Sequence, residues 1–223
     1  MKTCVIVPAY NEAECIGIVI DQVLQQGMEV VIVDDGSADE TSVIASKKGA
    51  VVLRNEVNLG KGASLIRGFE YVLSRDFDAV ITMDGDGQHD PKDIPYFIRL
   101  AKYSPGGLFI GNRMQQTKDM PVVRILTNKF MSRLISLVIK QSVPDTQCGF
   151  RLIKREVLKK LNLKTSKYET ESELIIQAAR FKFRIESVPI KTVYRNEKSQ
   201  INPCLDTLRF IRFISKEKWI SKP

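Results

Sequence analysis

Two aspartates separated by a single glycine form the part of this sequence with the clearest chemical character. They belong to the stretch Asp84-Gly85-Asp86-Gly87-Gln88, which directly follows a short apolar run. Two carboxylates this close repel each other unless a cation lies beside them. Carboxylate and amide oxygens are the ligands that Mg²⁺ and Mn²⁺ prefer, and both ions are commonly shared with substrate phosphates. The stretch therefore predicts a divalent-cation site, although a solvated turn after a buried strand would use the same residue types.

Short polar segments also follow the other apolar runs in the first half of the chain, and an amphipathic segment follows most of these polar segments. This alternation predicts an α/β fold with a mostly parallel sheet and helices on both faces. The predicted strands lie at residues 3–7, 30–33, 51–53, 80–83 and 108–110. Ligands of such sheets bind beyond the carboxyl ends of the strands. We therefore expect these charged side chains to converge at one rim: Glu12, Asp34, Asp35, Lys61, Asp84, Asp86 and Arg113.

The second half of the chain has a less regular pattern. Residues 115–120 are typical of a mobile loop, and residues 122–139 predict a long helix that carries Arg124. Residues 145–151 predict a turn that re-enters the sheet. A helix is expected from about residue 168 to residue 181, with acidic side chains in its first turn that suit the helix dipole. Residues 185–193 alternate around Pro189 in the way of an edge strand.

The whole-chain composition is that of one ordinary globular domain. The 223 residues include 43% hydrophobic residues and carry a net charge of +8, which favours an anionic partner such as a nucleotide, a phospholipid surface or a nucleic acid. No apolar run reaches the roughly 18 residues of a membrane-spanning helix. The sequence begins directly with a predicted strand, so no secretory signal is expected. The four cysteines are scattered, which predicts reduced thiols in a cytoplasmic protein.

The end of the chain predicts an amphipathic helix. Between residues 205 and 219, the basic side chains Arg209, Arg212 and Lys216 recur at helical spacing opposite an apolar face. Such a helix can lie on an anionic membrane surface, or it can pack on the domain with a solvated basic face.

Five motifs in a fixed order resemble the family 2 glycosyltransferases, and most closely the dolichyl- or polyprenyl-phosphate sugar synthases within that family. The motifs are Pro8-Ala9-Tyr10-Asn11-Glu12, Asp34-Asp35-Gly36-Ser37, Asn58-Leu59-Gly60-Lys61-Gly62, Asp84-Gly85-Asp86-Gly87-Gln88-His89 and Gly111-Asn112-Arg113. The segments 145–151, 168–173 and 199–203 also look like that subgroup. The resemblance implies a GT-A fold, a GDP- or UDP-hexose donor, Mg²⁺ or Mn²⁺ as cofactor, and inversion at the anomeric carbon.

On this resemblance the chain is expected to be a single GT-A domain over residues 1–223. Residues 1–114 would form the nucleotide-sugar-binding half, residues 115–202 the acceptor half, and residues 203–223 the amphipathic C-terminal helix. Members of the family often continue into membrane-spanning helices, whereas no apolar run of this sequence is long enough for one. The chain is therefore expected to act peripherally at the cytoplasmic face of the membrane, on its own or with a membrane-anchoring protein partner.

The resemblance implies that the donor is held by residues of these motifs and by one later arginine: Pro8, Tyr10, Glu12, Asp35, Lys61, Asp84 and Arg195. The first three would frame the base and ribose. Asp35 would contact the base or ribose, and Lys61 the base or diphosphate. Asp84 would help to hold the ribose or the metal, and Arg195 would close over the phosphates.

The resemblance also implies the metal ligands and the acceptor site. Asp86 and Gln88 would be the principal metal ligands, with Asp84 beside them. Arg113, Arg124 and Asn128 would bind the acceptor phosphate, and the last two lie one helical turn apart. Asn128 stands where the family pattern has a serine, which is a departure from that pattern.

The expected chemistry depends on the acceptor. A lipid phosphate is already ionised at neutral pH, so orientation and charge neutralisation by Asp86-bound metal, Arg113 and Arg124 would dominate. A sugar hydroxyl would instead need a carboxylate base, and Asp145 and Glu171 are the residues expected to serve.

Rival classes explain the sequence less completely. The paired aspartates also resemble those of haloacid-dehalogenase-type phosphatases, but that motif follows the first strand and here it follows the fourth. A dehydrogenase would need Gly-x-Gly-x-x-Gly after the first strand, and Gly60-Lys61-Gly62 lacks the spacing of a P-loop. A nucleic-acid binder is favoured by net charge alone, so no nucleic acid is expected as partner. A catalytically silent nucleotide-sugar sensor would need the same donor site without turnover.

Overall fold

The computed structural model describes residues 1–117 and 120–191. Within these residues, seven strands form one sheet. They are β1 (Thr3–Ala9), β2 (Glu29–Asp34), β3 (Val51–Arg54), β4 (Ala79–Thr82), β5 (Leu108–Asn112), β6 (Arg151–Lys154) and β7 (Ile185–Pro189). The helices are α1 (Ile16–Leu24), α2 (Thr41–Lys47), α3 (Lys61–Leu73), α4 (Ile94–Tyr103), α5 (Val122–Ile139), α6 (Arg155–Leu158) and α7 (Glu169–Arg180), and a 3₁₀ turn, Pro91–Asp93, precedes α4.

The order of strands in the sheet is β3-β2-β1-β4-β6-β5-β7. Strands β1 to β4 pair in parallel, as do β5 and β7, while β6 runs antiparallel to both of its neighbours. The prediction of an α/β fold with a mostly parallel sheet is therefore confirmed. The antiparallel strand β6 brings the turn before it, residues 145–150, to the same end of the sheet as the tip of β4.

Burial explains why the strands read as continuous apolar runs rather than alternating ones. Residues Cys4 to Val7 of β1 and Val31 to Val33 of β2 are completely buried, because helices cover both faces of a parallel sheet. Helices α1 and α2 contact each other and the β2–β3 side, whereas α3 contacts β1, β2 and β4 and also α6 and α7. Gly68 lets α3 approach β1 closely, since a Cβ there would lie 2.8 Å from side-chain carbons of Ile6.

Most predicted elements are observed with small changes at their ends. The long helix α5 has the predicted bounds, and β7 occupies the predicted edge position. The predicted C-terminal helix and Arg195 lie outside the described residues, as do residues 118 and 119 of the predicted loop 115–120. The division into donor and acceptor halves stays a prediction.

Candidate active site

The carboxyl ends of β1, β2 and β4 meet at one rim. Ala9 at the end of β1 pairs with Asp34 at the end of β2, and the Asp35 N–H donates to the Ala9 carbonyl over 2.8 Å. A Cβ on Gly85 would lie 3.4 Å from the Glu12 Cγ. The tips of these strands are therefore in contact, although they come from widely separated parts of the sequence.

Lys61 and Asp84 form the central ion pair of this rim. The Lys61 Nζ lies 2.6 Å from the Asp84 Oδ1 and 3.2 Å from the Glu171 Oε2. Burial lowers the pKa of Lys61, but the attraction of these two carboxylates outweighs it and raises the pKa above its usual value. Burial likewise disfavours the charged form of Asp84, yet the net effect of Lys61 and its other neighbours is a lowered pKa. Lys61 and Asp84 are therefore both charged at neutral pH.

Asp84 is held from two further sides. Its backbone N–H donates to the Nδ1 of the buried His89 over 3.2 Å, and the His89 Nε2 lies 3.8 Å from the Asp84 Oδ2. A Cβ on Gly149 would come within 2.6 Å of the Asp84 Oδ1, so the turn before β6 packs directly against the carboxylate. His89 thus helps to hold the loop that carries Asp84. The thiol of Cys148 lies 3.9 Å from the His89 Nε2, and burial raises its pKa to about 12, so this thiol is protonated at neutral pH.

His89 gives a pH-dependent prediction, because burial lowers its pKa to about 4. The unfolded chain binds a proton on this imidazole near pH 6.5. Between pH 6.5 and 4 the unfolded state therefore binds more protons, so the stability that neutral His89 contributes is complete above pH 6.5 and declines as the pH falls. The loss should approach about 3 kcal/mol by pH 4.

His89 is the single histidine of the sequence, so its imidazole resonances can be followed by NMR without overlap from other histidines. We expect them to show no titration above pH 5. The difference in unfolding free energy between the wild type and His89→Gln should change across this pH range. A midpoint near 6.5 in the folded protein would contradict the buried, neutral imidazole.

Asp35 holds the loop that leads to Lys61. Its Oδ1 accepts hydrogen bonds from the Asn55 side chain at 2.7 Å and from the Leu59 N–H at 3.0 Å. Its Oδ2 accepts from the Gly60 N–H at 2.7 Å. The carboxylate is 3% exposed, so in this arrangement it positions the loop and only a small part of it can reach a ligand.

The N-terminus of α3 is packed tightly against the segment before α7. A Cβ on Gly62 would lie 1.9 Å from the Thr170 Oγ1 and 2.6 Å from the Lys167 carbonyl oxygen. Gly62→Ala is therefore expected to lower the free energy of unfolding by about 1–3 kcal/mol, because backbone must move to accept the methyl group.

Gly17→Ala in α1 is the matched control, because a Cβ there would meet a side-chain methyl of Ile44 at 3.2 Å and no backbone atom within 4 Å. Denaturant unfolding of both variants measures the difference. Equal stability of the two variants would contradict the close approach of α3 to the α7 segment.

Arg113 and Asp145 form a buried bidentate pair at the tips of β5 and the β6 turn. The Nε and Nη2 of Arg113 donate to Asp145 over 2.7 and 2.9 Å, and the Arg113 backbone N–H donates over 3.1 Å. Burial opposes the charge of Arg113, but neighbouring anionic groups raise its pKa overall. Both oxygens of Asp145 accept hydrogen bonds, and its side chain is completely buried. The structure therefore presents Asp145 as the group that orients Arg113.

Arg151 is a buried residue that was not predicted to belong to the site. It is 1% exposed and donates to the carbonyl oxygens of Thr146, Cys148 and Glu171 over 2.8 to 3.0 Å. Its Nη2 also lies 3.6 Å from the Glu171 Oε1. Arg151 thus ties the β6 turn to the first turn of α7 and keeps Glu171 beside Lys61. Its place as the last residue of the segment 145–151 was the available signal.

Helix α5 carries the residues predicted to bind an acceptor phosphate. Arg124 is half-buried, and Asn128 one turn later is buried at 7% exposure. The Asn128 Nδ2 is buried and has no hydrogen-bond partner among the described residues. Large apolar side chains on the same helix face solvent, with exposures of 50% to 70% for Val122, Val123, Leu126, Phe130 and Leu137.

The residues at the rim fit a divalent cation of the Mg²⁺ or Mn²⁺ type. In the part of the chain that the structure describes, no cluster of three or more His, Cys, Asp or Glu side chains could hold a metal. Asp84, Asp86 and Gln88 instead offer two carboxylates and an amide in one short loop, and the Asp86 Oδ1 accepts the Gln88 N–H over 2.9 Å. Mg²⁺ typically takes one or two carboxylates and completes its shell with water and substrate phosphates, which matches this donor set.

Three further predicted donor residues, Pro8, Tyr10 and Glu12, lie at or just beyond the end of β1. Tyr10 is 41% exposed at the end of β1, and Pro8 and Glu12 are half-buried. The Glu12 N–H donates to the Thr41 Oγ1 over 2.8 Å.

Among the described residues, no helix is both long and apolar enough to cross a membrane.

Comparison with known proteins connects this rim to a family. The family model for glycosyl transferase family 2 matches residues 4–162. The chain is 32% identical, over 85% of its length and 84% of the relative's, to the UDP-N-acetylglucosamine–dolichyl-phosphate N-acetylglucosaminyltransferase of Methanococcus voltae. It is 26% identical, over 85% of its length and 76% of the relative's, to the polyprenol monophosphomannose synthase of Mycolicibacterium smegmatis.

Among solved structures, the fold matches that of glucosyl-3-phosphoglycerate synthase from Mycobacterium tuberculosis in complex with Mn²⁺, UDP-glucose and phosphoglyceric acid. The TM-score is 0.73 at 21% identity, and the match covers 96% of this chain and 79% of the other. The strand-end rim, the family match over most of the chain and the GT-A fold together show that this chain belongs to the family 2 glycosyltransferases.

Proposed function

We propose that this glycosyltransferase moves one hexose-type sugar from a GDP- or UDP-sugar to a polyprenyl or dolichyl phosphate, with inversion and with Mg²⁺ or Mn²⁺ as cofactor. The observation that supports a polyprenyl or dolichyl phosphate as acceptor is the composition of α5. One helix combines Arg124 and the Asn128 Nδ2, which has no hydrogen-bond partner among the described residues, with a row of exposed apolar side chains.

An isoprenoid phosphate has the same two parts. Its phosphate would accept hydrogen bonds from the guanidinium of Arg124 and the Nδ2 of Asn128, which suits a buried donor that has no partner in the described part of the chain. Its hydrocarbon chain would lie along the exposed apolar residues of α5, including Leu126 and Phe130. Exposed apolar patches of this kind are typical of surfaces that contact lipid or another protein.

The state of Asp145 also favours a phosphate acceptor. A sugar hydroxyl needs a base within reach, but both oxygens of Asp145 are engaged by Arg113, and Glu171 pairs with Lys61. A phosphate acceptor needs no such base, because its attacking oxygen is ionised at neutral pH.

On the donor side, the contacts of Asp35 and Lys61 support the roles proposed for them. Asp35 holds the loop before α3, so that the Lys61 ammonium lies at the rim where a diphosphate would bind. Asp84, Asp86 and Gln88 would hold the divalent cation, which when bound neutralises charge on the departing nucleotide diphosphate. Pro8, Tyr10 and Glu12 would frame the base and ribose, and Arg195 would approach the phosphates.

The relatives support the acceptor class more than the sugar. Both curated relatives are named for transfer to dolichyl or polyprenol phosphate, whereas one carries N-acetylglucosamine and the other mannose. We propose that the reaction takes place peripherally at the cytoplasmic face of a membrane. The thiols of Cys4 and Cys148, which form no disulfide among the described residues, are consistent with a reducing compartment. A membrane-anchoring protein partner stays a prediction from the sequence.

Acceptor discrimination tests this proposal. Labelled GDP- and UDP-sugars are incubated with Mn²⁺ and, in separate reactions, a short polyprenyl phosphate, the matching polyprenol without phosphate, or free monosaccharides. We expect organic-phase product only with the phosphate. Transfer to polyprenol or to monosaccharide hydroxyls at equal rate, or turnover of donor by hydrolysis alone, would refute the proposed acceptor.

A further inference from the structure

The Lys61 ammonium contacts the carboxylate of Asp84, which the proposed function assigns as a ligand of the divalent cation. Its Nζ is 2.6 Å from the Asp84 Oδ1. A divalent ion on the same oxygen would face a positive charge at close range, which is strongly unfavourable in a partly buried site. A bound cation and the observed position of Lys61 are therefore in competition.

A second carboxylate gives Lys61 an alternative partner. The Glu171 Oε2 lies 3.2 Å from the Lys61 Nζ, and Arg151 holds Glu171 in place from behind. Lys61 can therefore leave Asp84 and keep an ionic partner. The Lys61 side chain is partly buried beside these two carboxylates, so an arrangement in which the ammonium has no anionic partner would be costly.

We propose that Lys61 is the resident counter-ion of Asp84, and that a divalent cation binds by displacing the ammonium toward Glu171 and the donor diphosphate. Glu171 is then a positioning residue for this exchange. The consequence is that the cation binds weakly without nucleotide, because Lys61 must be moved, and more tightly with nucleotide, because the diphosphate receives both cations. This inference rests on the metal dependence of the proposed function.

The test is Mn²⁺ affinity in the absence of nucleotide, measured by the loss of the free-ion EPR signal. Lys61→Met is expected to raise the affinity by about tenfold or more, since the competing charge is gone. Lys167→Met is the matched control. The Lys167 side chain lies near Gly60 and is exposed. This substitution removes the same positive charge, but it should change the Mn²⁺ affinity much less, because an exposed charge is screened.

Glu171→Gln tests the alternative partner and keeps the inference falsifiable if Lys61→Met does not fold. Without the second carboxylate, Lys61 stays on Asp84, so Mn²⁺ affinity should fall below that of the wild type by several-fold. Glu169→Gln changes the same charge on the same helical turn and should have a smaller effect.

Unchanged affinity in Lys61→Met, or an equal gain in Lys167→Met, would overturn the exchange. Wild-type Mn²⁺ binding with GDP or UDP present separates the two proposals. If the wild type binds Mn²⁺ with nucleotide but Lys61→Met gains nothing without it, the exchange alone is wrong. If no form binds Mn²⁺ under either condition, the metal dependence and the exchange both fail.

Discussion

Asp86→Ala is expected to reduce sugar transfer by at least about a thousandfold and to remove the metal-dependent part of donor affinity. Asp86 follows Asp84 in the loop beyond β4, and its Oδ1 is already turned toward the Gln88 N–H. Loss of this carboxylate leaves Asp84, which is paired with Lys61, and the Gln88 amide as the donors for a cation. Charge on the departing diphosphate would then be poorly neutralised.

The measurement is calorimetric titration of the donor with and without Mn²⁺, together with the rate of transfer at saturating donor. Asp90→Asn is the control. Asp90 lies in the same loop and accepts the Lys92 N–H at the start of the turn before α4, so its loss should change the rate by only a few-fold. Full activity in Asp86→Ala would refute its role as a metal ligand.

Arg124→Ala is expected to raise the KM for polyprenyl phosphate by about 10- to 100-fold, the loss of one charge-assisted contact to a phosphate. Donor affinity should stay unchanged, because Arg124 lies on α5 rather than on the strand-end loops. Its neighbour one turn later is Asn128, whose buried amide would share the same phosphate.

Initial rates with varied acceptor and varied donor separate the two effects. Arg133→Ala is the control, because Arg133 is an exposed arginine further along the same helix and its substitution removes the same charge. A weaker donor interaction with an unchanged acceptor KM would contradict the placement of the acceptor phosphate on α5. Equal losses in both variants would indicate a general effect of surface charge.

The elements of the fold could be predicted because their signals are local. Apolar runs that are followed by short polar segments predict β1, β2, β3 and β4. The helical spacing of apolar residues predicts α5 with its observed bounds. The insertion of β6 antiparallel between β4 and β5 could not be predicted, since it depends on pairing between segments about 70 residues apart. Local patterns carry no information about such a register.

The candidate site was predictable to a similar extent. The arrival of Glu12, Lys61 and Asp84 at one rim follows from the predicted parallel direction of the strands, because each residue lies beyond the carboxyl end of a strand. The partners of the charged groups do not follow. Charged residues are ordinarily expected at the surface, so burial of Arg151 against three carbonyl groups could not be inferred from its type.

Tertiary contacts also change how two predicted residues are understood. Asp145 was expected as a base for hydroxyl acceptors, but its carboxylate orients Arg113 through two side-chain hydrogen bonds. Asp35 was expected at the base or ribose, and in the structure it holds the Leu59 and Gly60 amides. Both contacts join segments separated by more than 20 residues, which no local pattern reveals.

The most direct test of the account is a crystal structure of the chain with Mn²⁺ and a nucleoside diphosphate, with the ion located by its anomalous scattering. We expect the anomalous peak beside the carboxylates of Asp84 and Asp86, with the diphosphate between that peak and Lys61. A diphosphate bound away from the ends of β1, β2 and β4, or an ion that contacts neither aspartate, would contradict the account.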